Sequence, residues 1–203
     1  MTSRQRPAVE KEEMRDRLLV SRRARSPEQR RADGDAITAL VLDTPEVAAA
    51  RTVAAYVSVG TEPPTDGLLD ALRDRGVGVL LPVLLPDLDL AWAEYTGAGA
   101  LEHGPRGMRQ PGGPRLRPEA VTGTDAVLCP GLAADRTGLR LGRGGGSYDR
   151  TLARLGGEVW SCVLLFADEV TDEDLPADPH DQRVQAAATP EGVVRFGTSQ
   201  GGA

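Results

Sequence analysis

The sequence predicts a single α/β domain of three layers, a mostly parallel central sheet with helices on both faces. Three observations predict it. The runs Thr52–Val59, Val77–Pro82 and Asp125–Gly131 show no polar alternation, as in strands covered on both faces. An amphipathic helix separates the first two, giving a strand–helix–strand unit, whose crossover is almost always right-handed. A chain of 203 residues with 40% hydrophobic content suits one core, and neither a repeat nor a linker divides it. The domain is expected over residues 1–196, with residues 197–203 a disordered tail.

In chain order, Val9–Ala24 reads as a helix with Met14, Leu18 and Leu19 on one stripe and Lys11, Arg15 and Arg22 alongside. Ser26-Pro27-Glu28-Gln29 starts a second helix, with Ser26 as cap, Pro27 at the first position and Gln29 at capping-box spacing. It carries Ile37, Leu40 and Val41 and ends near Pro45. After the Thr52–Val59 strand, Thr65 is expected to cap a helix through Leu68, Leu69 and Leu72 that ends at Arg75-Gly76, before the strand from Val77. Leu88–Thr96 alternates Asp with Leu and leaves its state open; the Gly-, Pro- and Arg-rich stretch 97–118 reads as an irregular excursion. A strand from Asp125 then leads to a Gly/Arg-rich loop and a helix from Tyr148 or Asp149 to Leu155. Strands are expected at Glu158–Phe166, Val184–Ala188 and Gly192–Phe196.

Composition excludes several classes. No run approaches the roughly 18–20 apolar residues of a membrane span, and the N-terminus has no secretory pattern, so a cytoplasmic, soluble protein is expected. The net charge of −6 argues against a general nucleic-acid binder. Cys129 and Cys162 lie in apolar runs and read as buried free thiols, and no cysteine–histidine cluster has zinc spacing. Of the 24 basic residues only Lys11 is lysine, a hint that its position wants an ammonium in particular.

The densest chemical signal is Arg140-Leu-Gly-Arg-Gly-Gly-Gly-Ser-Tyr-Asp-Arg150. Consecutive glycines let backbone N–H groups approach an anion, the helix start adds partial positive charge, and Arg140, Arg143 and Arg150 supply forks for phosphate or carboxylate. A flexible surface loop is the competing reading, and without a Gly-Lys-Ser/Thr ending this is not a Walker A loop.

Pro130-Gly-Leu-Ala-Ala-Asp135 followed by Gly138–Asp149 resembles the signature of the 5-formyltetrahydrofolate cyclo-ligase family. Lys11–Arg15, Tyr56–Glu62, and Leu175-Pro176 through His180-Asp181 to Thr189-Pro190 agree in order and approximate spacing, so the resemblance spans roughly residues 10–190. It implies ATP contacts from Lys11 and Arg15. The loop Arg140, Leu141, Gly142, Arg143, Gly144, Gly145, Gly146, Ser147 and Tyr148 would hold the nucleotide phosphates, with Arg143–Ser147 also facing the folate. Val57 and Glu62 fall at folate positions, and Asp149 and Asp181 at magnesium positions; Lys11 and Arg143 are the expected catalytic pair. Each has a rival reading: a solvated basic face for Lys11 and Arg15, an exposed loop acid for Glu62 or Asp181, a helix-start residue for Asp149. His180 and His103 have no partner that sequence identifies.

The chemistry so implied is closure of 5-formyltetrahydrofolate to its 5,10-methenyl form in an ATP- and magnesium-dependent monomer. The alternatives are another ATP-dependent phosphotransfer on the same scaffold and a folate- or nucleotide-binding regulatory module. Three positions depart from the family pattern. Ser147 replaces the first tyrosine of a pair, Ala134 an aromatic, and Gln185 an aspartate; the first two are expected to remove ring surface near the ligand.

Overall fold

The structure, a computed structural model, describes residues 5–197. Residues 198–203 lie outside them, and with them most of the expected tail.

Seven strands form the central sheet in the order β12-β11-β9-β6-β1-β2-β3. They are β1 (Thr52–Ala54), β2 (Gly78–Leu84), β3 (Leu90–Glu94), β6 (Ala126–Pro130), β9 (Trp160–Leu164), β11 (Ala186–Thr189) and β12 (Gly192–Arg195). The five inner strands pair in parallel, β2 through β1, β6 and β9 to β11. Each edge is closed by an antiparallel strand, β3 on β2 and β12 on β11. The parallel strands are apolar on both sides because both faces are covered.

On one face pack α2 (Pro27–Leu42), α3 (Pro45–Ala48) and α4 (Asp66–Asp74). Ile37, Val41, Val47, Leu68, Leu69 and Leu72 meet Val53, Val79, Leu81, Leu128 and Leu164 there. A fully buried Leu or Ile is worth about 1.5–3 kcal/mol, so this layer is a main source of stability. The other face is covered by α5 (Ser147–Ala153), a 3₁₀ segment at Pro118–Gly123 and a small sheet, β10-β7-β8. That sheet comprises β7 (Ala133–Asp135), β8 (Arg140–Leu141) and β10 (Val170–Thr171). The first helix, α1 (Gln5–Ala24), lays Met14 and Leu18 on Ala133, Leu139, Leu141 and Leu175 of this region. Helix α1 is thus anchored beside the glycine-rich loop, and its Arg15 reaches that loop.

Four sequence expectations change. The Thr52–Val59 strand stops at Ala54, after which Ala55 N–H still donates to Leu80 O at 2.9 Å and the chain leaves the sheet. Thr65 explains the exit. Its hydroxyl donates to Tyr56 O (2.8 Å) and accepts from Ser58 N–H (2.9 Å), so it makes no cap bond to α4. Pro82 is tolerated inside β2 because its side of the strand, shared by Leu80, faces β1, which has already departed. The stretch 97–118 contains a hairpin, β4 (Leu101–His103) with β5 (Arg109–Pro111), and β7, β8 and β10 had no sequence signal. Strands of two or three residues are too short to show a period.

Other expectations hold. Ser26 Oγ accepts from Gln29 N–H at 3.1 Å, although the Gln29 side chain turns to Asp33 instead of completing the box. Leu88–Thr96 resolves into β3. Cys129 and Cys162 are buried free thiols. No helix among the described residues is long and apolar enough to cross a membrane.

Candidate active site

A cleft of about 850 Å³ opens at the carboxyl ends of β1, β2 and β6, where open α/β sheets bind ligands. Every site residue singled out from sequence lines it: Lys11, Arg15, Val57, Glu62, Arg140–Tyr148, Asp149 and Asp181. The hairpin at 97–118 contributes Met108 and Arg109, so the excursion does cover this edge. Tyr56, Asp178, His180 and Gln182 also line it and were not assigned to a ligand from sequence.

One group of residues clusters around α1 and the glycine loop. Lys11 is nearly buried, not solvated, with Nζ 2.6 Å from Asp178 Oδ2 and 2.5 Å from Asp181 Oδ2. Burial alone would lower the Lys11 pKa, but the hydrogen bonds and charges of Asp178 and Asp181 outweigh it and raise the value. Lys11 correspondingly holds the Asp178 carboxyl below its usual range. One turn on, Arg15 Nε donates to Gly142 O at 2.9 Å and its guanidinium lies against Gly144. Gly144 and Gly146 have φ of 95° and 67°, conformations that side chains rarely adopt, and Gly146 leads directly into α5.

Asp149 on α5 accepts from Arg140 Nη2 at 2.9 Å and from Gln182 N–H at 3.4 Å, both at Oδ1. The backbone next to Asp181 therefore meets Asp149, so the two acids come from separate segments that converge. Asp178, His180 and Asp181 also offer ligand atoms within 4.8 Å of one another. The carboxylates fit a hard, oxygen-seeking cation; the imidazole of His180, largely exposed, suits magnesium poorly.

The other group surrounds Glu62. Its Oε2 accepts from Val59 N–H at 2.8 Å, and Oε1 lies 3.1 Å from Arg143 Nε. Burial pushes its pKa up, opposed by that N–H and by Arg143. Val57, Pro82, Leu84, Leu90 and Met108 give the cleft an apolar wall, and Tyr148 also lines it. The wall is tied to α5: Ser147 Oγ and Arg150 Nη2 both donate to Leu88 O, at 2.6 and 2.5 Å, while Arg154 pairs with Asp89. Leu88 has φ of 66°, the one positive value outside glycine among the described residues.

The departures at 134 and 185 lie elsewhere. Ala134 is fully buried in the second core layer and does not line the cleft, which corrects the expectation that it removes ring surface near a ligand. Gln185 accepts from Ser161 N–H at 2.8 Å, a packing role. Asp135, inside the signature, is spent on Thr137, Leu139 and Leu175 N–H groups. His103 lies exposed on the hairpin, away from the cleft.

A family model described as the 5-formyltetrahydrofolate cyclo-ligase family matches residues 7–190. The chain belongs to this family. A 5-formyltetrahydrofolate cyclo-ligase of Mycolicibacterium smegmatis is 38% identical over 190 residues, covering 91% of this chain and 96% of the relative. The Escherichia coli cyclo-ligase is 32% identical over 174 residues, covering 85% and 96%. Among solved structures, the 5,10-methenyltetrahydrofolate synthetase of Aquifex aeolicus has a TM-score of 0.79 at 27% identity, with 95% and 96% covered. As a cyclo-ligase family member the chain is an enzyme of the ligase class, and its mixed α/β fold is that of its structural relative.

Proposed function

We propose that the chain closes 5-formyltetrahydrofolate to 5,10-methenyltetrahydrofolate at the expense of ATP, releasing ADP and phosphate. One observation carries this reading: the anion-type glycine loop with Lys11 and Arg15, and the apolar wall with Glu62, share one cleft in a member of this family.

The formyl oxygen attacks the γ-phosphorus of ATP, and ADP leaves. Nitrogen 10 then attacks the activated formyl carbon and gives up its proton; the carbon–oxygen bond breaks, and phosphate departs with both electrons. The residues would orient and neutralise. Lys11, Arg15 and the N–H groups of the Gly142–Ser147 loop would take the polyphosphate, with Arg143 bridging it to the folate. Val57 and the wall would hold the bicyclic ring while Glu62 accepts its N–H donors, and fixing both substrates accounts for most of the rate.

Magnesium would be held by Asp149 and Asp181 and would supply neutralisation of phosphoryl charge. Asp149 suits this role because its two hydrogen bonds among the described residues both use Oδ1, leaving Oδ2 for a ligand.

The test is purified protein with 5-formyltetrahydrofolate and magnesium, with and without ATP, followed by methenyl absorbance and ADP assay. Equal amounts of both products are expected, and chelation should stop the reaction. ADP without methenyl product would replace this reading with another phosphotransfer; binding without turnover would replace it with a regulatory module.

A further inference from the structure

Three buried groups near the Glu62 end of the cleft are unexplained by the account so far: the hydroxyls of Tyr56 and Tyr148 and Nη1 of Arg22 have no hydrogen-bond partner among the described residues. Buried polar groups are nearly always paired in folded proteins, with protein or with water, so an orphan in a cleft wall is a group available to a bound molecule. Arg22 is fully buried and does not line the cleft, and its other nitrogens are committed to Glu169 and Gly131 O. Tyr56 is different. It is 3% exposed, yet it lines the cleft, and the charge that acts on its hydroxyl most strongly is that of Glu62, ahead of Arg22.

The backbone holds this side chain in place. Tyr56 is the second residue beyond β1, where the chain peels from the sheet, and its carbonyl is fixed by the Thr65 hydroxyl. Burial drives its pKa well above the ordinary tyrosine value, so the phenol keeps its proton and stays a donor. Glu62, which lines the same cleft, is acceptor-only when ionised and already takes Val59 N–H on one oxygen. The cleft wall therefore holds a carboxylate acceptor and a buried, uncommitted hydroxyl donor. The bicyclic ring of a folate carries the complementary set along one edge, with amino and ring N–H donors adjoining a carbonyl oxygen.

We propose that Tyr56 is a substrate-positioning residue whose hydroxyl donates to the ring carbonyl oxygen of the folate while Glu62 accepts from the adjoining N–H groups. This rests on the folate reading of the cleft given above. It also gives a reason for tyrosine at this position, since phenylalanine would supply the same ring to the core.

Tyr56→Phe tests it, with calorimetric titration of 5-formyltetrahydrofolate and of ATP separately, steady-state kinetics, and thermal melting without ligand. Folate affinity should fall about tenfold, as for a lost hydrogen bond that leaves a buried acceptor unpaired. The folate KM should rise in step with kcat little changed, and the ATP dissociation constant should not move. The ligand-free melting temperature should stay the same or rise, because the variant removes an unpaired hydroxyl. An unchanged folate dissociation constant would overturn the proposal. So would a lower melting temperature with equal weakening of both ligands, which would make the hydroxyl a structural group. Wild-type protein that fails to bind 5-formyltetrahydrofolate would instead bring down the folate reading itself.

Discussion

Glu62 and Glu169 are built alike and placed differently. Each follows a strand of the central sheet and closes a turn on the residue three before it. Glu62 Oε2 accepts from Val59 N–H at 2.8 Å, and Glu169 Oε2 from Phe166 N–H at 2.9 Å. In each turn the glutamate N–H returns to the partner carbonyl, at 3.3 and 3.1 Å. Each carboxylate meets an arginine, and burial pushes both pKa values up against those partners. The arginines separate the two sites. Arg22 is fully buried, grips Glu169 with two nitrogens at 2.7 Å and lies over Phe166. Arg143 touches Glu62 through one nitrogen, and its side chain is 47% exposed. A carboxylate sealed by a fixed fork is structural; the same carboxylate under a movable, half-solvated fork can exchange its partner for a ligand.

Breaking the sealed pair should have the largest effect. Arg22→Met leaves Glu169 buried and unpaired, so stability in chemical denaturation should fall by about 3–5 kcal/mol. Arg22→Met with Glu169→Leu should recover much of that, because two apolar side chains replace two desolvated charges. If the single variant is as stable as wild type, the pair does not seal this region and the contrast with Glu62 dissolves.

Glu62→Gln should leave stability nearly intact and weaken 5-formyltetrahydrofolate binding by roughly 1.5–3 kcal/mol, since one acceptor oxygen becomes a donor facing donors. The loss should appear in the folate titration and not in the ATP titration. Equal folate affinity would return Glu62 to the status of a turn residue.

The raised pKa of Glu62 gives a pH signature of opposite sign for binding and for stability. Folded Glu62 holds its proton more tightly than the unfolded chain does. Its contribution to stability is thus fully present below the ordinary value of 4.5 and is lost as pH rises through the folded value. Folate binding needs the ionised form and should fall on acidification, with a midpoint above 4.5. Subtracting the Glu62→Gln profile isolates this group; matching profiles would remove Glu62 from the binding site.

Lys11→Arg asks whether the cleft needs a compact charge where Arg22 needs a wide fork. Turnover should drop roughly tenfold, about 1.4 kcal/mol of transition-state stabilisation, while melting moves little because a guanidinium still pairs with Asp178 and Asp181. Full turnover would make the lone lysine an accident of composition. The smallest effect should come from Ser147→Ala, which removes one of two donors to Leu88 O. Denaturation should register about 0.5–1.5 kcal/mol, and no change would mean Arg150 alone holds that turn.

Much of this site was legible because its chemistry is local in sequence. A run of glycines flanked by arginines between a strand and a helix suggests an anion loop from local pattern alone, and helical spacing puts Lys11 and Arg15 on one face. The parallel core was legible for a similar reason: doubly covered strands must be apolar throughout, and that leaves a mark on composition. The sequence also singled out Ser26 as a cap and the two cysteines as buried thiols.

What only the tertiary structure decided is the fate of groups whose partners are distant in the chain. Arg22 reads as one more basic residue beside Lys11 and Arg15, yet it is sealed in the interior by an acid 147 residues away. Thr65 carries the signal of a helix cap, but its hydroxyl is claimed by the Tyr56–Ser58 backbone, where the chain after β1 leaves the sheet. Ala134 and Ser147 look like matched departures near a ligand; Ala134 is core, whereas Ser147 does line the cleft while its hydroxyl pins the turn between β2 and β3. Local pattern fixes which backbone conformations and faces are favourable, because those depend on neighbours within a few residues. A polar side chain instead bonds whichever group packing brings within about 3 Å, and that choice belongs to the folded chain.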